Sequence, residues 1–505
     1  MINGRPIVYN AILLTAVNLI LRFTSTSFQV YLSGKIGPEG IGLLQLVMSV
    51  GSLAITAGMG GIRTATMYLC AEVIGQKRQN SMIWVLSGCI LYSIILSTAV
   101  GLLLYYIAPM IADRWIGKSD IVGAIRLFSY FLPANCLCGV MIGYFTAVNR
   151  IGTLTAVEII EQLISMSTTI TLLTFWAGSN PVKSCHAAVL GSGMGGCFTL
   201  SVLLLIKARE QNKKVQRISI RKKLWKTAIP LGFADDIKAG ISTAENIIVP
   251  KRLALYSGES APLSTFGMVC GMVFPVLMFP SAILFGLAEL LIPELARCNA
   301  AESTKRIRYL AKRSLMLALL YGCLCGGIQY LSADLLCNKL YHTPEAAMHL
   351  RRFAILVPMI YCDIIVDAMT KGLGQQKICV RYNILTSTMD VILLFILLPR
   401  YGINGYFVSF TITHLINFLM SINLLQKLIG KVTRFYTVIL TFLATISGVW
   451  GSMLLPKNVQ FIGFLIIFTV MLIVLNVLNQ EEYRWIIGLM GIKRKNKGLT
   501  FNRNI

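Results

Sequence analysis

Within the stretch ADDIKAGISTAENIIVP, residues 234–250, Asp235, Lys238, Ser242 and Glu245 follow one another at intervals of three, four and three. That spacing puts them on one face of a helix, while Ile237, Ile241, Ala244 and Ile248 line another. A charged face in a helix long and apolar enough to cross a bilayer cannot look at lipid without a cost of several kcal/mol per residue. It must face protein or a water-filled cavity, where its chemistry is the holding of a polar head group or a cation. Asp235 and Lys238 can also neutralise each other as a pair near the helix end, where lysine reaches toward the head groups. Glu245 has Ile247, Ile248 and Val249 after it and no such local partner, so a cavity role suits it better.

Other polar positions repeat the pattern. Asn18, Arg22 and Gln29 lie in the first apolar segment. Arg22 is a permanent donor whose fork matches phosphate oxygens, or else the partner of an acid on a neighbouring helix. Glu158, Glu161, Gln162, Ser165 and Thr169 share one helix face, as do Asn383, Thr386, Ser387 and Asp390. Asp363 and Asp367, one turn apart, are together with Asp390 candidates for a coupling cation or proton, with Lys371 as an alternative partner. Arg63, Glu289 and Glu294 sit near helix ends and are gate candidates. The expected substrate cavity thus comprises Asn18, Arg22, Gln29, Lys238, Ser242, Glu245, Asn246, Glu158, Glu161, Gln162, Asn383 and Asp390, with Arg22 and Glu245 on one central space.

The elements that must carry these residues are transmembrane helices. Of 505 residues, 56% are hydrophobic and 13% charged, with a mean hydropathy of +0.71, which excludes an ordinary soluble domain. Apolar runs of about 20 residues, enough to cross a hydrocarbon core about 30 Å thick, recur along the chain. They predict an all-α polytopic protein of about fourteen spans, near residues 7–33, 38–62, 81–109, 121–148, 153–177, 185–206, 227–250, 264–292, 310–331, 347–369, 379–399, 403–426, 436–455 and 459–479. The first segment has no small-residue cleavage site, so it reads as a retained helix rather than a signal peptide.

A net charge of +25 could suggest nucleic acid. In a polytopic chain, however, most of the 46 Lys and Arg fall in loops that place both termini in the cytoplasm. The 13 cysteines lack zinc or redox spacing and read as small interface residues. His186, His342, His349 and His414 form no paired motif, so neither a metal nor a cofactor is expected beyond a coupling sodium ion or proton.

The basic run KAREQNKKVQRISIRKKLWK (207–226) separates two comparable parts. At a shift of about 224 residues, Pro6 falls on Pro230, Pro38 on Pro262 and, one residue further, Pro133 on Pro358, a repeat of the kind transporters use. The division expected is 1–206 and 227–430 as two parallel six-helix lobes, 207–226 as a connector, 431–479 as two additional helices and 480–505 as a basic cytoplasmic tail. Arg22 then aligns with Asn246, beside Glu245.

IGPEGIGLLQL (36–46), ENIIVPKRL (245–253), LIPELA (291–296) and GLGQQK (372–377), in this order and spacing, resemble the multidrug/oligosaccharidyl-lipid/polysaccharide (MOP) exporter superfamily. The likeness runs from about residue 10 to about residue 430 and is strongest to the branch of stage V sporulation protein B and polysaccharide flippases. What the resemblance implies is a V-shaped bundle of two lobes around a central cavity, moving a lipid-linked sugar from the inner to the outer leaflet of the cell membrane without breaking a covalent bond. The sugar would be lipid II, in peptidoglycan or spore cortex synthesis, or a polysaccharide repeat unit. Similar lipid II flippases place two arginines six residues apart in the first helix; here Arg22 fits the first position and Phe28 stands at the second. The implied partners are the lipid-linked oligosaccharide, membrane lipids and envelope-synthesis enzymes, around a monomer.

A cation-coupled drug exporter of the same superfamily is the nearest alternative, favoured by Glu245, Asp363, Asp367 and Asp390. A membrane-embedded glycosyltransferase would need a long outside loop or a clustered His/Asp motif, and the sequence has neither. A cell-wall scaffold would not require polar stripes in both halves.

Overall fold

The computed structural model describes residues 5–76, 81–178, 180–209, 221–430, 435–457 and 459–477. Most of the basic connector and all of the 480–505 tail lie outside the described residues, as does the side chain of Asn18. Among the described residues the chain is entirely helical.

The first helix, α1 (Arg5–Met59), has 55 residues and would be roughly 80 Å long if straight, well beyond the thickness of a bilayer. Gly37 interrupts it at φ 71°, a left-handed conformation that glycine adopts without strain. Pro38 follows and disfavours a helical residue before it. The sequence IGPEG therefore divides α1 into two apolar rods. Then come α2 (Ile62–Gly75), α3 (Met82–Met110), α4 (Val122–Ala147), α5 (Ile151–Leu172), α6 (Pro181–Ala208) and α7 (Arg221–Leu253). Asn180 caps α6, its side chain accepting from the Val182 and Lys183 amides, with Pro181 at the first helical position.

The second part continues with α8 (Pro262–Phe266), a π-helical turn, α9 (Phe274–Met278) and α10 (Ala282–Ala300). Next are α11 (Thr304–Leu331), α12 (Ala333–Tyr341), α13 (Glu345–Ala354), α14 (Val357–Gly372), α15 (Gln376–Tyr401) and α16 (Ile403–Ile429), before α17 (Phe435–Met453) and α18 (Gln460–Val474).

Nine helices among the described residues are long and apolar enough to cross a membrane, or up to eleven if each of two bent pairs is one span. The bent pairs are α8–α9 with α10, at 61°, and α13 with α14, at 52°. This count falls short of the expected fourteen for physical reasons. The two rods of α1 join with α2 into one continuous stretch, α7 carries a charged stripe, and α18 has only 15 residues.

A bend at membrane depth leaves carbonyls that water cannot reach. Here side chains satisfy them. Gln329 Nε2 donates to the Val276 and Leu277 carbonyls at 3.1 and 3.2 Å. The Tyr361 hydroxyl reaches Leu277 O at 2.9 Å, and that of Tyr321 reaches Pro280 O at 2.9 Å. One buried glutamine and two tyrosines thus hold the break between α9 and α10.

Packing repeats between the two parts: α3 lies on α4, α4 on α6 and α5 on α6, while α11 lies on α14, α14 on α16 and α15 on α16. Helix α1 touches both sets, meeting α3, α4 and α6 on one side and α7, α8, the π turn and α10 on the other. Glycines let the backbones meet there. A Cβ on Gly267 would strike the Pro38 carbonyl and Gly42, and one on Gly232 would strike Gly60. α17 and α18 pack together and lean on α11. All thirteen cysteines are free thiols, eleven of them buried.

Candidate functional site

Helix α15 turns the face Asn383, Thr386, Ser387 and Asp390 inward against α7, α14 and α16. Together these helices enclose a cavity of about 240 Å³, lined also by Glu245, Asp363, Thr413, His414 and Asn417. Three carboxyl groups from three helices therefore converge. Asp390 is 5% exposed and accepts hydrogen bonds at its Oδ1 from Ser409 Oγ at 2.6 Å and Thr413 Oγ1 at 3.2 Å. The Glu245 carboxyl lies within hydrogen-bonding reach of the Asp390 carboxyl.

Asp363 Oδ2 accepts from Asn417 Nδ2 at 3.1 Å. Its Oδ1, and Asn417 Oδ1, are buried without a hydrogen-bond partner. His414 stacks on Phe410 with ring centroids 3.8 Å apart and bonds the Phe410 carbonyl through Nδ1 at 3.0 Å. Among the described residues, no group of three or more His, Cys, Asp or Glu is arranged to hold a metal ion.

Asp367 points elsewhere: it pairs with Lys371 one turn along at 2.5 Å and is not among the cavity residues. Arg22 is not among them either. It rests over the Phe285 ring at 4.8 Å, with Nη2 3.5 Å from the Met278 carbonyl, so it faces the α9–α10 bend rather than Glu245. Gln29, two turns on, donates to the Gly271 carbonyl at 3.2 Å. Asn246 donates from Nδ2 to Ser49 Oγ at 2.8 Å, tying α7 to the second rod of α1. Lys238 and Ser242 are exposed on α7.

A second polar group lies among the N-terminal helices. Glu161 Oε2 accepts from Thr199 Oγ1 at 2.6 Å. Gln162 Nε2 donates to Ser25 Oγ at 2.6 Å and to the Leu21 carbonyl at 3.2 Å. Glu158 lies in the fields of Arg63 and Glu161. The acid of α5 is thus held by a hydroxyl on α6, as the acid of α15 is by hydroxyls on α16. Of the other gate candidates, Glu294 pairs with Arg306 at 2.6 Å and Arg297 at 3.7 Å, and Glu289 is exposed.

Sequence reasoning missed Thr413, His414 and Asn417 as cavity residues. The signal was present: with Ser409 they form a polar stripe on α16, at intervals of four, one and three.

The described residues thus form an all-helical bundle with bent spans, a packing pattern that repeats between its two parts and an inward cluster of carboxyl groups. The fold resembles those of solved membrane proteins. The chain matches a structure of "Lipid II flippase MurJ, inward closed conformation" with a TM-score of 0.69 at 15% identity, covering 94% of this chain and 100% of that one. It matches an inward-facing multidrug resistance MATE family transporter of the MOP superfamily with a TM-score of 0.62 at 15% identity, covering 81% and 96%. In sequence it is similar to stage V sporulation protein B of Bacillus subtilis (strain 168), 21% identical over 411 residues and 78% of each chain. No family model matches. The chain is thus similar in sequence to stage V sporulation protein B and shares its fold with MurJ and MATE proteins.

Proposed function

We propose that this protein is a proton-coupled flippase that carries a lipid-linked sugar from the inner to the outer leaflet of the cell membrane. The observation that carries the reading is the extent of the fold: the likeness to a lipid II flippase runs through the whole of that chain and leaves uncovered less of this one than α17, α18 and the tail span. A drug exporter's fold accounts for less of the chain.

In this reading the chain crosses the membrane fourteen times, with both termini in the cytoplasm. The Gly37 break supplies two crossings within α1, and α7 and α18 each supply one. Residues 1–206 and 227–430 act as two lobes that rock about α1, with the glycine contacts Gly42–Gly267 and Gly61–Gly232 closing opposite ends. The sugar head with its phosphates passes between the lobes. Arg22, at the α9–α10 bend, is the cation that meets the phosphates as that bend opens.

The cavity of Glu245, Asp390 and Asp363 supplies the coupling. Two ionised carboxylates this close repel each other, and one shared proton removes the repulsion while making the hydrogen bond between them. Gain and loss of that proton changes how α7 sits on α15, which is a two-state element that a transport cycle requires. No covalent bond changes. The monomer is the working unit, and the biosynthetic enzymes of the envelope are its functional neighbours.

The test is translocation in proteoliposomes holding the full chain, with lipid II and a prenyl-linked oligosaccharide offered separately and a cationic drug as control. Movement of either lipid-linked sugar supports the reading. Movement of the drug alone would replace it by the exporter alternative.

A further inference from the structure

The π-helical turn between α8 and α9 spans Gly267–Val273, with the sequence GMVCGMV. Such a turn carries one residue more than an α-helical turn of the same span, and it is found frequently at functional sites. Here it is gripped from two sides. Toward α1, Gly267 packs against the Pro38 carbonyl and Gly42, beside the break at Gly37, and Gly271 packs on Ile41. The Gly271 carbonyl accepts from Gln29 Nε2 on the first rod of α1 at 3.2 Å. Toward α16, Cys270 Sγ and the Tyr406 hydroxyl lie 3.9 Å apart.

Tyr406 continues the wall of the acid cavity. It stands three residues before Ser409 and seven before Thr413, on one face of α16, and those two hydroxyls donate to Asp390. Cys270 and Tyr406 both lie in the field of the Glu245 carboxyl. Contacts therefore run without interruption from the Glu245–Asp390 pair through Tyr406 and Cys270 to Gly271, Gln29 and the break in α1.

The turn also has a second arrangement open to it. Shedding the extra residue rotates the helix on one side by about 100° relative to the other, the advance of one α-helical residue. Gly267 and Gly271 bring no side chains to resist that change. The far end is fixed: Phe274, the next residue, lies among Phe353, Phe410 and Tyr406, with ring centroids 5.2, 5.3 and 6.5 Å away. Rotation within the turn is thus delivered to its other end, where Gly267 meets Pro38.

We propose that this π turn is the two-state element through which the acid cavity governs the break in α1, with Tyr406 and Gln29 as the positioning residues on its two sides. The proposal rests on the coupling role given to Glu245 and Asp390 above. A change in the carboxyl pair moves Tyr406, which alters the hold on Cys270. The turn then changes register, and Gly271 and Gly267 shift against Gln29 and Pro38. Contacts that only hold the fold together would be indifferent to the state of Glu245.

The test is hydrogen–deuterium exchange of the full chain at one pH, read by mass spectrometry, with Glu245→Gln as the permanently uncharged cavity. In the wild-type background Glu245→Gln is expected to change exchange on the order of threefold or more both in residues 383–392 of α15 and in residues 34–42 around the break. With Tyr406→Phe or with Gln29→Leu, the change at 383–392 is expected to persist and that at 34–42 to disappear. Cys270→Ala is expected to act like these cuts, and Cys270→Ser, which keeps a hydroxyl facing Tyr406, to restore the response. A purely structural role would alter exchange equally with Glu245 and with Gln at that position. A response at 34–42 that survives both cuts, or a response at 383–392 alone in the otherwise wild-type chain, would overturn the inference and leave the coupling role standing. No response in either segment would overturn both.

Discussion

Glu245 on α7 and Asp390 on α15 hold their carboxyl groups within hydrogen-bonding reach of each other, in a cavity that Asp363 completes from α14. Ser409 and Thr413 donate to Asp390 from behind, so its orientation is fixed by α16 while Glu245 arrives on a separate helix. The pair therefore joins α7 to α15 across the cavity.

Replacing Glu245 by Gln keeps the shape and removes the acid. Glu245→Gln is expected to keep the fold, as read by size-exclusion profile and thermal midpoint, and to slow gradient-driven transport by at least tenfold. Asp390→Asn is expected to do the same. Asp367→Asn is expected to leave gradient dependence in place, because Asp367 pairs with Lys371 outside the cavity.

Arg22 predicts a different pattern. Arg22→Ala is expected to reduce translocation at low substrate far more than at saturation, as a lost phosphate contact would. Arg22→Lys should restore only part of it, since a point charge does not reproduce the fork or the stacking on Phe285. Transport assayed over a range of lipid-linked substrate separates these outcomes, and an Arg22→Ala protein with wild-type concentration dependence would remove Arg22 from the substrate path.

The bend between α9 and α10 depends on Gln329. Gln329→Leu would orphan the Val276 and Leu277 carbonyls on that side, a loss of about 1–3 kcal/mol. Tyr361→Phe would remove the second donor to Leu277 and cost about 1 kcal/mol. Thermal unfolding in detergent should rank Gln329→Leu below Tyr361→Phe and both below the wild type.

Glycine contacts give a test of the closed ends. Any side chain at Gly267 meets the Pro38 carbonyl and Gly42, and any at Gly232 meets Gly60. Gly267→Val and Gly232→Val are each expected to prop open one end of the α1 interface and to raise thiol-reagent labelling of a cysteine placed at Ser49 from that side only. Labelling unchanged from the parent protein would mean that these contacts do not close the path.

Much of the polar chemistry was legible before the helices were seen together. The face Asn383, Thr386, Ser387 and Asp390 follows from a period near 3.6, which a sequence displays directly, and the same is true of Glu158, Glu161 and Gln162. What a periodicity cannot give is the neighbour. Glu245 shares a stripe with Lys238 and Ser242, yet those two are exposed while Glu245 meets Asp390, because adjacent turns of α7 face different helices. Arg22 aligned with Asn246 in the repeat but rests on Phe285, since repeat-related positions lie equivalently in their own halves and need not touch. Against fourteen expected segments, nine helices among the described residues, or up to eleven with each bent pair joined, are long and apolar enough to cross a membrane, and the bent pairs break around Pro280 and Ile355. Such breaks are set by tertiary donors such as Gln329, which sequence periodicity does not register.

The most direct measurement of the central claim is translocation of a lipid-linked sugar by the full chain in proteoliposomes under an imposed pH gradient, compared with an imposed sodium gradient and with Glu245→Gln. The account predicts that the pH gradient accelerates translocation, that sodium does not, and that the acceleration vanishes in Glu245→Gln. Acceleration by the pH gradient that survives in Glu245→Gln, or a response to sodium alone, would contradict it.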